Sequence, residues 1–149
     1  DIALLGSASA GIACVLSSFD WRAGDNVVTS TLEYASGRYA LARLNGLGVE
    51  TRMVEPNGWL VDIDGLINAC DAGTRIVYVS QVSYLTGQAL DIAALSGALR
   101  LRGIALLVDV SPALGVVPVD GTKADFMVSA GYKWLFGTQT GILAWNRPR

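Results

Sequence analysis

The sequence contains no histidine. That absence removes Ser-His-Asp and Cys-His catalysis, and most zinc sites, in one step. A general base here has to be Lys, Tyr, Asp, Glu or Cys. Lysine is scarce as well: Lys123 and Lys133 stand against nine arginines. Cysteine is limited to Cys14 and Cys70, both in apolar stretches and without metal-ligand spacing. They are expected to be buried thiols in a reducing, cytoplasmic setting, and no metal site is expected. Charged residues make up only 16% of the chain, with a net charge of -2 and no basic block. Nucleic acid is therefore excluded as the natural partner, because phosphate contacts need clustered Lys and Arg. Long apolar runs are missing too. Residues 104–108 are stopped by Asp109, and Val116-Val117 by Pro118. No segment approaches the roughly 20 apolar residues of a membrane helix, and no signal-peptide pattern is visible.

What is present is a chain of 149 residues, 52% of them hydrophobic, which suits one domain with a sizeable core. It opens directly on a buried-strand pattern, Ile2-Ala3-Leu4-Leu5, and closes just after another, with no initiator Met. It reads as a piece of a longer protein.

Strand-like and helix-like stretches alternate. Strands are predicted at 2–5, 27–31, 49–54, 75–80, 104–109, 125–129 and 141–145, mostly as short β-branched or apolar runs. Helices are predicted at 8–18, 37–47, 63–71 and 91–102. The last has Ile92, Leu95 and Leu99 on one face, Asp91 as a cap and Gly103 as a stop. Such alternation implies an α/β fold, a mostly parallel sheet with helices on both faces. Ligands in such sheets bind at the carboxyl ends of the strands. Five groups of polar or small residues fall there: 7–9, 33–34, 81–84, 109–111 and 129–133.

Two of those residues carry the argument. Lys123 sits in the turn Asp120-Gly121-Thr122-Lys123 and reads as a surface charge. Lys133 lies among Tyr132, Trp134 and Phe136. It is open to two readings: a cation–π contact, or a desolvated amine able to form a Schiff base with a carbonyl. Asp109 ends the most apolar strand of the chain, where a carboxylate is costly unless something meets it. It either caps the turn Ser111-Pro112-Ala113 or pairs with a cationic ligand atom such as a protonated pyridine nitrogen. Taken together, an acid at one strand end and a lysine beyond the next match what a pyridoxal 5'-phosphate (PLP) site requires.

The ordered set of motifs resembles the class V aminotransferases, the fold-type I PLP group with cysteine desulfurases, kynureninases and isopenicillin-N-epimerase-like proteins. The resemblance rests on Val108-Asp109-Val110-Ser111-Pro112-Ala113-Leu114-Gly115 and Ala124-Asp125-Phe126-Met127-Val128-Ser129-Ala130-Gly131-Tyr132-Lys133-Trp134-Leu135. Upstream it includes Arg22-Ala23-Gly24-Asp25, Glu33-Tyr34, Val79-Ser80-Gln81-Val82-Ser83-Tyr84-Leu85-Thr86-Gly87 and Asp91-Ile92-Ala93-Ala94-Leu95. It implies a three-layer sandwich with a mostly parallel seven-stranded sheet, the PLP-binding large domain over residues 1–149. An N-terminal segment and a C-terminal small domain would lie outside it.

Residue by residue, the resemblance makes Lys133 the Schiff-base lysine that later moves the substrate's α-proton, and Asp109 the partner of the pyridine nitrogen. Tyr34 takes the ring-stacking position. Ala8 and Ser9 match the phosphate loop, with the Tyr132 hydroxyl and Ser129 as further phosphate contacts. Gln81 and Tyr84 occupy positions where the desulfurase motif has His and Asn, and Pro112 stands where many relatives have Gln or His. These departures favour an aminotransferase-like or epimerase-like enzyme acting on an amino acid, over a cysteine desulfurase or selenocysteine lyase. A non-catalytic scaffold of the same fold is the reading of a different class. The resemblance also implies a homodimer.

Overall fold

The structure, a computed structural model, describes residues 1–146. In chain order the elements are β1 (Ile2–Leu5), α1 (Ala8–Ser17), β2 (Asn26–Ser30), α2 (Ala35–Ala42), β3 (Glu50–Val54), α3 (Ile63–Asn68), β4 (Thr74–Ser80), α4 (Ile92–Arg100), β5 (Ala105–Asp109), β6 (Phe126–Ala130) and β7 (Gly141–Trp145). All seven strands form one sheet in the order β1-β7-β6-β5-β4-β2-β3. The pairs from β3 through β6 are parallel, and β7 runs antiparallel to both its neighbours.

Strand alternation feeds two cores. Ile76 and Tyr78 on β4, with Leu107 on β5 and Val128 on β6, pack under Ile12, Val15 and Leu16 of α1 and Leu41 of α2. Val77, Val79, Leu106, Val108 and Met127 turn to the other face, against Leu66 of α3 and Leu95 and Leu99 of α4. Each inner strand is thus covered on both sides, which explains its near-continuous apolar run. This is the three-layer α/β sandwich with a mostly parallel seven-stranded sheet.

Helix ends follow local chemistry. The Ser7 hydroxyl accepts from Ala10 N at 3.0 Å, and the Asp91 carboxylate from Ala94 N at 2.9 Å, so both helices start on side-chain caps. The stretch expected as one helix over 37–47 is instead α2 followed by a 3₁₀ turn, Arg43–Leu47, that ends on Gly48 at φ 74°. Asn45-Gly46 and Gly48 weaken helix propagation there. Helix α3 stops at Asn68, short of the expected Asp71, because Asp71 is engaged elsewhere. Its carboxylate accepts from Asn26 Nδ2 at 2.8 Å and Gly73 N at 2.9 Å and pairs with Arg52 at 2.7 Å.

These contacts, led by Asn26 and then Arg52, hold the Asp71 carboxyl at about 2, below its ordinary value. A depressed carboxyl stabilises the fold above its unfolded pKa of about 3.9, and loses that contribution as pH falls through the folded value. Asp71→Asn is therefore expected to lower the thermal midpoint at pH 7, with the gap to wild type closing by pH 2. A gap independent of pH would contradict this.

The cysteines depart from expectation. Cys14 is exposed and Cys70 only half-buried, with its thiol donating to Leu66 O at 3.2 Å. The buried stripe of α1 is Gly11, Ile12, Val15 and Leu16, which leaves position 14 on the outer side. Among the described residues, no helix is long and apolar enough to cross a membrane.

One close approach positions the site. A Cβ on Gly141, at the start of β7, would overlap the backbone of Ser7. The absent side chain lets the entry to α1 press onto the sheet. Gly141→Ala is expected to cost roughly 1–3 kcal/mol, as backbone overpacking does, and chemical denaturation measures it. An unchanged midpoint would mean the approach is not tight.

Candidate active site at the carboxyl ends of the strands

Ser80 and Asp109 are in-register neighbours at the ends of β4 and β5. Asp109 continues the Leu107 face of β5, the side covered by α1 and α2. It is 7% exposed. Its Oδ1 accepts from Ser111 N at 2.7 Å, so it does cap the turn after β5. The carboxylate has acceptor capacity left for a ligand. Burial pushes the Asp109 carboxyl up, and the Ser111 contacts and the positive charge of Lys133 partly oppose the rise. A carboxylate in that position gains most from a cation brought close to it.

Hydrogen bonds tie the Lys133 turn to the Asp109 turn. The Ser111 hydroxyl accepts from Ala130 N at 2.9 Å, and Val110 N donates to Val128 O at 2.8 Å. Trp134 Nε1 donates to Pro112 O at 3.1 Å. Gly115, at φ 99°, lies so close to Trp134 that a Cβ would come within 3.0 Å of its carbonyl oxygen. Beyond it, Phe136 adopts φ 52° and Gly137 N donates to Gly131 O at 2.9 Å, closing the loop on itself. Lys133 is half-buried within it.

The Lys133 Nζ stands 6.0 Å from the centroid of the Tyr34 ring, so the cation–π reading also has its geometry. Tyr84 meets Tyr34 edge-on at 5.1 Å. Both tyrosines are about half exposed, at 51% and 50%, so the pair lies at the surface rather than in a core. Ala8 and Ser9 begin α1. They reach the same corner because Gly141, which touches Ser7, pairs with Ala130, two residues before Tyr132. Lys133, Asp109, Tyr34 and Tyr84 are thus grouped, with Ala8, Ser9 and Tyr132 at the β6–β7 side.

Two of the expected residues stand apart. Ser129 follows Val128 by one residue, so the period of two turns it to the α4 side; it is 1% exposed, and its hydroxyl donates to Ala130 O at 3.3 Å. Gln81 donates to Pro118 O at 2.9 Å and lines a cavity of about 190 Å³ with Leu90, Asp91 and Lys123. Lys123 itself sits 4.0 Å from Asp120 in an exposed pair.

Sequence reasoning assigned no role to a buried polar group behind Asp109. Glu33, 3% exposed, accepts from Ser80 N at 2.7 Å and from the Ser80 hydroxyl at 2.6 Å. This staples the segment carrying Tyr34 to the strand beside Asp109. Burial raises the Glu33 carboxyl, and the nearby Asp109 adds to the rise. The available signal was a glutamate directly after a strand and one residue before the aromatic.

Comparison with known proteins decides the family. The profile described as Aminotransferase class-V matches residues 2–147. The chain belongs to the class V aminotransferase family. Among curated members, it is 31% identical over 147 residues to a probable cysteine desulfurase of Methanothermobacter thermautotrophicus, covering 96% of this chain and 37% of that protein. It is also 31% identical over 148 residues to isopenicillin N epimerase of Streptomyces clavuligerus, with 95% and 37% covered. The family fold recurs in the crystal structure of the Escherichia coli cysteine desulfurase CsdA, with TM-score 0.90 and 22% identity, covering 97% of this chain and 38% of that one. A C-DES variant with glycine covalently linked to its PLP cofactor superposes with TM-score 0.89 and 24% identity, with 97% and 40% covered. This class V chain spans well under half the length of the curated relatives it matches.

Proposed function

We propose that this domain binds PLP over Asp109 and Lys133 in an enzyme acting on an amino acid, in the manner of an aminotransferase or epimerase. The observation that carries the reading is a pairing of complementary groups: a buried carboxylate at the end of β5, and a half-buried primary amine on the turn after β6 whose positive charge reaches it. The donor set fits the cofactor: an acid for a ring nitrogen, an amine for an aldehyde, an aromatic face, and backbone N–H groups at a helix start for a phosphate.

When bound, PLP supplies an electron sink for bonds at the amino acid's α-carbon. Asp109, held by Ser111 N, would meet the ring nitrogen and favour a proton on it. Lys133 would hold the cofactor through its aldehyde group, and its Nζ, when free, would be the base for a proton at the substrate's α-carbon. Tyr34, braced edge-on by Tyr84, would offer an aromatic face to the ring. Ala8 and Ser9 present N–H groups to the phosphate and Tyr132 a hydroxyl. Residues 1–149 form the large domain of a longer protein that works as a homodimer.

A cysteine desulfurase is the second reading, favoured by the similarity to the Methanothermobacter protein. The experiment is a substrate panel on the PLP-loaded full-length protein. New oxo acid or inverted stereochemistry supports the first reading. Alanine from L-cysteine, with sulfide released when a thiol reductant is added, supports the second. Bound PLP without turnover of any amino acid would leave only a scaffold.

A further inference from the structure

Directly beneath Asp109 lies a polar group that the reading above leaves without work. Tyr78 on β4 is fully buried. Its ring and hydroxyl lie against α2 where Gly37 has no side chain; a Cβ there would overlap them. Among the described residues the hydroxyl has no hydrogen-bond partner. Asp109, Glu33 and Ser80 are close enough to act on it. Glu33 already accepts at both oxygens from Ser80, and the Ser80 hydroxyl, its proton given to Glu33, can meet the phenol only as a neutral acceptor. Asp109 accepts from Ser111 N at 2.7 Å, the Ser111 and Tyr78 hydroxyls also lie within reach of its carboxyl, and an anionic carboxylate has capacity for several donors. A buried hydroxyl without a partner is costly and calls for an explanation.

We propose that Tyr78 is a positioning residue, a donor for Asp109: when the carboxylate is ionised against a cationic ring nitrogen, the phenol O–H turns onto it and fixes its orientation. The proposal rests on the PLP reading and extends it to the support of the nitrogen partner. Burial, with the Asp109 and Glu33 charges adding, keeps the phenol far above its ordinary value, so it holds its proton and acts as a donor.

Tyr78→Phe in the full-length protein removes one oxygen and keeps the packing. The cofactor-free variant is expected to melt at the same temperature as wild type or higher, because an orphaned hydroxyl is gone. Its Kd for PLP, read by absorbance titration, is expected to weaken roughly tenfold, the loss of one hydrogen bond to a charged group. In an Asp109→Asn background the same change should leave Kd where it was. A role in packing alone predicts a lower melting point without cofactor and an unaltered PLP affinity. Either result overturns the proposal, as does an equal loss in the Asp109→Asn background. Wild-type protein that fails to bind PLP would instead overturn the functional reading.

Discussion

Lys133→Ala in the full-length, PLP-supplied protein is expected to lower turnover by about a thousandfold or more, the upper range for removing a positioned acid–base group. It is also expected to remove covalent capture of the cofactor. The fold should tolerate the change: Lys133 is half-buried on a turn held by Trp134–Pro112 and Gly137–Gly131 contacts that do not use its side chain. Its loss forfeits an approach at 6.0 Å to Tyr34 and the partial relief its charge gives Asp109, so stability should move within about 1 kcal/mol. Lys133→Arg separates charge from chemistry. The guanidinium keeps the positive charge over Tyr34 but can neither act as the amine nor accept a proton near neutral pH. Both variants should therefore fail equally in steady-state assays. Activity retained by Lys133→Arg would assign the lysine a purely electrostatic role.

Asp109→Asn carries the second large effect. The variant keeps an acceptor for Ser111 N and removes the charge. PLP affinity is expected to fall by roughly 10²–10³, as when one partner of a buried ion pair is removed. The cofactor-free protein should respond in the opposite sense. A carboxyl raised by burial contributes stability fully below its unfolded pKa of about 3.9, and that contribution is lost as pH rises through the folded value. At pH 7 the unfolded carboxyl is ionised while the folded one resists ionisation, a cost that Asn does not carry. Without cofactor, Asp109→Asn is expected to melt as high as wild type or higher at pH 7, with its advantage shrinking towards pH 4. Calorimetry with and without PLP reads both arms. A variant weaker than wild type in the empty state would mean that the carboxylate serves the fold.

The layers of the fold were legible because inner strands covered on both faces read as continuous apolar runs, and turn residues marked their ends. Asp109 was legible for the same reason, a charge closing the most apolar strand. Helix extents were less so: nothing in residues 63–71 shows that Asp71 is drawn off by Asn26 and Arg52, which are distant in sequence. Ser129 and Gln81 illustrate what position along the chain leaves open. Both sit at strand ends, but the pleat and the Pro118 carbonyl turn them to the α4 side. The Glu33–Ser80 staple and the Gly37–Tyr78 fit are long-range pairings whose members look ordinary until the sheet brings them together.

Borohydride reduction of the PLP-loaded full-length protein, followed by peptide mass mapping, tests the central claim most directly. A pyridoxyl group on the peptide containing Lys133, absent from Lys133→Ala, is the expected result. An adduct confined to Lys123, or none at all, would contradict the account.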